Sequence, residues 1–199
     1  MNTKANGIRT LGALGGVVGP VTFAGAWITG SLHTSGYSMV NDAISRLAAV
    51  HADTRPMMTT GFVAFGVGVS AFGLGLRRSL PGPAWISAVA SAAATLGVAA
   101  FPLDHSSTID AVHGVAATLG YITLAATSLL AARSLGQLGR TTEARVSKGA
   151  GIVTAGCLAL TAFGPAHGLF QRIGVSVGDS WIVAASIGLL LLSPEPPSN

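Results

Sequence analysis

Charge is what this sequence has least of. Its 199 residues include only 9% Asp, Glu, Lys and Arg, against 50% hydrophobic residues and a mean hydropathy of +0.62. A soluble domain carries about 25% charged residues, so the composition points away from a water-soluble fold and towards an integral membrane protein. Cysteine is almost missing. Cys157 stands alone inside an apolar run, which excludes an internal disulfide and reads as a small core hydrophobe. No Gly-rich phosphate loop follows a strand, and no HExxH or paired-cysteine spacing is present, so the common nucleotide and zinc signatures are absent. Histidines are not placed at both membrane faces, as a two-haem electron path requires. Mid-helix charges of the kind ion-coupled transporters use are not expected either. A formal charge of +4 and a pI near 10 would suit nucleic acid, but the basic residues are scattered over short loops without an aromatic platform. No nucleic-acid partner is expected; the basic residues read as topology determinants.

What the chain does have is apolar stretches near the ~20 residues that a spanning helix needs. They cover about 11–32, 57–76, 84–103, 111–132, 150–170 and 181–193. The prediction is an all-α integral membrane bundle of six transmembrane helices, forming a single membrane domain over 1–199. The first stretch follows Lys4 and Arg9 and exceeds the ~7–15 apolar residues of a signal peptide, so it reads as an uncleaved helix. Pro81 and Pro83 mark a tight turn, and polar loops are expected at 104–110, 133–148 and 167–180. The tail 193–199 is expected to be unstructured. Gly12 with Gly16, and Gly15 with Gly19, form small-xxx-small pairs that let helices approach closely within one chain. A dimer seam is not demanded by them.

An even number of crossings puts both termini on one side. That face would hold Lys4, Arg9, Arg77, Arg78, Arg133, Arg140, Arg145 and Lys148, and the other only Arg46, Arg55 and Arg172. By the positive-inside rule, the expected location is the plasma membrane, multi-pass, with both termini cytoplasmic. All five histidines (His33, His51, His105, His113 and His167) then fall at the outer side, with Asp42, Asp53, Asp104, Asp110 and Asp179.

Between the first two helices, Val40, Ile44 and Leu47 recur at helical spacing over 38–52, with Ser38 as a cap. A short amphipathic helix is expected there, lying in the outer interface or folding over the bundle mouth as a lid. Asp110 and His113, spaced i, i+3 at the start of the fourth helix, share a face, and Asp104 and His105 end the preceding helix close by. A carboxylate beside an imidazole fixes its tautomer and suits proton transfer, so His113, Asp110 and Asp104 are the candidate catalytic residues. Asn41 and Ser45 on the outer segment, and His167 near the outer end of the fifth helix beside Pro165, are the candidate substrate-binding residues. His33, His51 and His105 read as loop-exposed. Asp179 is expected to cap the sixth helix, and Trp181, like Trp27 and Trp85, to anchor at an interface.

Three segments carry a family resemblance. They are Tyr37-Ser-Met-Val-Asn-Asp-Ala-Ile-Ser-Arg-Leu-Ala48, Phe101-Pro-Leu-Asp104 followed by His113-Gly-Val-Ala-Ala, and Gly168-Leu-Phe-Gln-Arg172 leading into Trp181. In this order they resemble the domain-of-unknown-function 998 family of small bacterial multi-pass membrane proteins. The resemblance implies a multi-helix membrane fold and brings no established reaction.

The functional expectation is an intramembrane enzyme acting on a lipid or prenyl substrate through the Asp/His acid–base site, with membrane lipid and a lipid-soluble small molecule as partners. The alternatives are a non-enzymatic accessory or sensor subunit, and a metal-dependent lipid hydrolase ligated by His113, His167 and an Asp.

Overall fold

The computed structural model describes residues 3–191, with side chains from Gly7 onward. Six long helices follow one another: α1 (Thr3–His33), α2 (Arg55–Ser79), α3 (Ala84–Ala100), α4 (Ser107–Gln137), α5 (Thr141–Phe163) and α6 (His167–Leu191). A 3₁₀ turn, Ile44–Ala48, interrupts the α1–α2 connection, and no strand occurs among the described residues. Each helix packs on its neighbours in the chain, and α1 meets α6 to close a ring. The guanidinium of Arg9 donates to the Leu189 carbonyl at 3.0 Å, which ties the two ends of the chain together. This is the terminal end of the bundle; the opposite one is the distal end.

Five helices are long and apolar enough to cross a membrane, and α3, with 17 residues, completes the ring. At ~1.5 Å per residue, α3 is about 25 Å long. The residues sort inside-out relative to a soluble protein. Large apolar side chains point outward, as at Leu32, Val67, Ile122 and Phe163, while Ser128, Thr154 and Ser186 are buried. In lipid this costs nothing, because the surrounding tails are as apolar as the side chains. Helices are also the structure in which each backbone polar group finds its partner without water. The chain is a multi-pass helical membrane bundle.

Glycine sets how closely α1 and α2 approach. A Cβ on Gly15 would lie 2.5 Å from the Gly68 carbonyl oxygen, and one on Gly68 would lie 2.4 Å from that of Gly15. Gly12 faces Gly75 in the same way, with 2.8 Å from its Cβ position to the Gly75 Cα. The small-xxx-small pairs therefore pack within the chain.

Three expected boundaries move. The fifth and sixth helices, expected at 150–170 and 181–193, run over Thr141–Phe163 and His167–Leu191. Pro165 is the reason: it holds Gly164 extended (φ −100, ψ 163), stops α5, and leaves a three-residue turn in which Ala166 takes φ 60. The expected loop at 167–180 is thus the first half of α6. Its polar residues do not break the helix, because Gln171, Arg172 and Asp179 all point into the protein. Likewise the loop expected at 133–148 shrinks to Leu138–Arg140, since α4 and α5 extend past the apolar zone with Arg133, Arg145 and Lys148 exposed. The tail expected at 193–199 lies outside the described residues.

The segment 38–52 is a set of turns around the 3₁₀ turn, not a continuous amphipathic helix. The Asp42 carboxylate accepts from the Ser38 amide at 2.7 Å, and the Ser38 hydroxyl accepts from the Asn41 amide at 3.2 Å. Such local bonds compete with helical ones. Ile44, Leu47 and Ala48 are buried, so the segment sits on the distal end as a lid.

Candidate functional site

Beneath the lid lies a cavity of about 60 Å³, enclosed by α1, α2, α3, α4, α6 and the 3₁₀ turn. At ~10–15 Å³ of such space per water, it holds roughly four waters or one small polar group. Periodicity explains how the helices line it. His113, Ala117 and Tyr121 recur every four residues on α4, as do Gln171, Val175 and Asp179 on α6, which places each set on a single face. Ser91 and Thr95 add hydroxyls from α3. Phe23, Phe62 and Phe65 form an aromatic wall, with ring centroids 5.4 and 5.5 Å from Phe23.

The hydrogen bonds on the polar wall fix which groups donate. Nδ1 of His113 lies 2.7 Å from the Phe101 carbonyl oxygen, which can only accept. The proton therefore sits on Nδ1, and in the neutral ring Nε2 presents a lone pair. Nε2 is buried and has no partner. The Ile44 amide donates to Oε1 of Gln171 at 2.8 Å, which turns Nε2 of Gln171 to donate to the Tyr121 hydroxyl. With its oxygen accepting from Gln171, Tyr121 keeps its own O–H proton to give elsewhere. Asp179 lies 12 residues into α6, about 18 Å from the distal end. It is buried and its Oδ1 has no partner.

A second polar centre holds the lid. Arg172 is buried, and its Nη1 donates at 2.9 Å towards the carbonyls of Met39, Asp42 and Gly168. Its Nη2 donates to the Tyr37 hydroxyl, and the guanidinium stands over Trp27 and Tyr37 at 5.5 and 5.4 Å from the ring centroids. Tyr37 also donates to the Ala43 carbonyl at 3.0 Å. Burial raises the Tyr37 phenol above its ordinary range, an effect partly offset by the positive charge of Arg172. The backbone carbonyls and two aromatic faces solvate this buried cation.

Of the residues singled out in the sequence, His113 and Ser45 line the cavity together. Asp110 does not serve as the partner of His113. Its Oδ1 accepts from the Asp104 amide at 3.0 Å, ordering the α3–α4 connection, and the Phe101 carbonyl takes the place expected for it beside the imidazole. Asp104 is exposed, with φ 63, and its carboxylate lies 3.8 Å from Arg46. Asn41 is exposed in the lid turn. His167 is the exposed first residue of α6, not part of α5, and does not line the cavity. Among the described residues, no three His, Cys, Asp or Glu side chains gather to hold a metal ion, so the ligand set of His113, His167 and an Asp is not assembled. Asp179 is not a helix cap, and Trp181 is buried, donating to the Ser147 hydroxyl at 2.9 Å. Against the expectation that no ionisable group is buried at mid-helix, Asp179 is buried at the middle of α6; Arg172 is buried nearer its distal end.

Tyr121, Gln171 and Asp179 were the cavity residues hidden from sequence reading. The four-residue spacing of each set was the available signal: for Gln171 and Asp179 it was obscured because 167–180 read as a loop, whereas Tyr121 lay eight residues from His113 on a helix already expected.

Neither the curated proteins nor the solved structures contain a match to this chain. A family model described as a protein of unknown function (DUF998) matches residues 17–188. That span runs from α1 to the last turn of α6 and includes every cavity residue, so the chain belongs to the DUF998 family of multi-pass membrane proteins.

Proposed function

We propose that the cavity binds the hydroxyl group of a lipid-soluble alcohol, with His113 as the acid–base group and Tyr121 orienting the hydroxyl. One observation carries the reading: Nε2 of His113 and Oδ1 of Asp179 are buried, unpartnered and border one cavity. A buried polar atom without a partner costs about 1–3 kcal/mol, so the site calls for an occupant. A hydroxyl fits because it accepts from Tyr121 while donating to His113. The space is too small for a lipid tail, and the partly exposed lining residues are Ser45, Thr95, Ala117 and Tyr121. This favours entry between α3, α4 and the lid, with the tail left in the membrane. Binding would aim the hydroxyl proton at the His113 Nε2 lone pair, the arrangement in which an intramembrane enzyme acting on a lipid or prenyl alcohol could take it as the oxygen forms a new bond. The excess of basic residues at the terminal end supports a cytoplasmic position for it, in the plasma membrane, and therefore an outer-leaflet mouth.

The sensor reading also has an observation in its favour. Gln171 joins the lid amide of Ile44 to Tyr121, so occupancy of the cavity would bear on lid position. Turnover separates the two readings, since a sensor binds without converting.

Farnesol and its methyl ether are suitable probes. Farnesol is expected to raise the melting temperature of the detergent-solubilised protein, while the ether, which cannot donate, has a weaker effect. His113→Ala should abolish the difference, and Tyr121→Phe, which removes a donor that both oxygens can accept from, should weaken both probes. Equal stabilisation by both probes, or an unchanged difference in His113→Ala, would exclude a hydroxyl site.

A further inference from the structure

A second cavity, of about 240 Å³, opens at the terminal end between α2, α4, α5 and α6. Its mouth carries Arg140, Thr142 and Glu143, and its walls are Leu76, Leu80, Leu135, Val146 and Leu189. The indole of Trp181 forms the floor, held by its hydrogen bond to Ser147. From Leu189 to Trp181 the cavity follows eight residues of α6, about 12 Å of depth. That is close to the ~15 Å hydrocarbon thickness of one leaflet. Small residues create the space: Ala184, Ala185 and Gly188 line it, and a Cβ built on Gly188 meets nothing within 4 Å. Protein interiors are ordinarily packed without voids of this size, and an apolar cavity has no stabilising polar contact to offer water.

The end of the bundle around this mouth is strongly basic, although Arg140 and Glu143, the two charged lining residues, are paired with each other. Arg77 and Arg78 immediately precede the lining residues Ser79 and Leu80, and Arg133, Arg145 and Lys148 are exposed on the adjoining ends of α4 and α5. Arg140 uses Nε and Nη2 on Glu143, at 3.1 and 3.0 Å, and Glu143 is the one acid among the described side chains of this end. Basic pockets between membrane helices with an apolar interior are suited to anionic lipid headgroups.

We propose that this cavity is a binding site for an anionic glycerophospholipid, one acyl chain lying along α6 down to Trp181 and the phosphate held at Arg140 and its basic neighbours. Apolar walls select the chain, and the basic rim selects the charge. The site stands apart from the distal cavity and does not depend on its ligand.

The test uses the full-length protein purified in mild detergent, exchanged into bilayer discs of phosphatidylcholine with or without phosphatidylglycerol, and analysed by native mass spectrometry. Phosphatidylglycerol is expected to remain bound at least fivefold more than phosphatidylcholine. Gly188→Leu, which fills the cavity, should remove the bound lipid while leaving the protein folded, and Arg140→Gln should reduce the preference for phosphatidylglycerol. Ala185→Leu provides a second plug if Gly188→Leu does not fold. Unchanged lipid retention in a folded plugged variant would overturn the cavity as the site. Equal retention of both lipids by the unmodified protein would overturn the charge assignment.

Discussion

Replacing Arg172 by Met should release the lid without unfolding the bundle, and the size of the effect follows from the contacts. Nη1 has two protons for three carbonyl acceptors, and one of these, Gly168, belongs to α6 itself. The bonds that hold the lid are those to Met39, Asp42 and Tyr37. A hydrogen bond to a charged group contributes about 1.5–3 kcal/mol, and counting two simultaneous lid bonds at the lower value gives about 3 kcal/mol. Methionine keeps most of the apolar stem but removes the guanidinium contacts with the Trp27 and Tyr37 rings, so about 3 kcal/mol is a lower figure. At ~1.4 kcal/mol per tenfold, lid opening should become roughly 100-fold more frequent. Hydrogen exchange read by mass spectrometry is the assay, and the Ile44 amide, bonded to Gln171 at 2.8 Å, is the reporter. Its exchange should accelerate by about that factor, with no change around Val69 and Phe72 in the core of α2. Unchanged exchange at Ile44 would refute the clamp, and acceleration throughout α2 would show that Arg172 supports the whole bundle instead.

Four further outcomes are expected. Gly68→Leu should prevent folding or lower the yield severely, because even a Cβ there falls 2.4 Å from the Gly15 carbonyl oxygen; a normal monodisperse purification profile would contradict this. Ala166→Gly should stabilise by about 1 kcal/mol by relieving φ 60, as read in thermal unfolding. Because the Tyr37 phenol is raised, its contribution to lid docking is fully present below the ordinary phenol range near pH 10 and is lost as pH climbs through its higher folded value; Tyr37→Phe should flatten that alkaline loss in thermal unfolding. In a Cys157→Ser background, Ser45→Cys should react with an impermeant thiol reagent on intact cells and Arg140→Cys should not, with the reverse pattern contradicting the proposed orientation.

The helical membrane fold was legible because composition and run length decide it: a 9% charged chain with stretches of about 20 apolar residues has few other solutions. The boundaries of the last two helices were not, because a hydropathy reading treats polarity as an exit from the membrane. Gln171, Arg172 and Asp179 remain in helix because the ring of neighbours gives them an interior to face. Pro165 was the stronger punctuation, acting through backbone sterics. His113 was legible from the apolar run that follows it, but its partner was not. Asp110 at i, i−3 shares its face, yet a backbone carbonyl from the end of α3 lies nearer to the ring, a tertiary contact that spacing along one helix does not encode. Ser45 was found through the periodicity of the lid, although the lid itself is locked by Ser38 and Asp42 into turns.

The most direct test of the cavity as a hydroxyl site is an experimental high-resolution structure of the protein in lipid discs supplied with farnesol. The account predicts density for a hydroxyl oxygen within hydrogen-bond distance of His113 Nε2 and the Tyr121 hydroxyl, with the chain leaving between α3 and α4. A cavity holding only water in the presence of saturating farnesol, or a His113 imidazole whose Nε2 has turned to a protein partner, would contradict it.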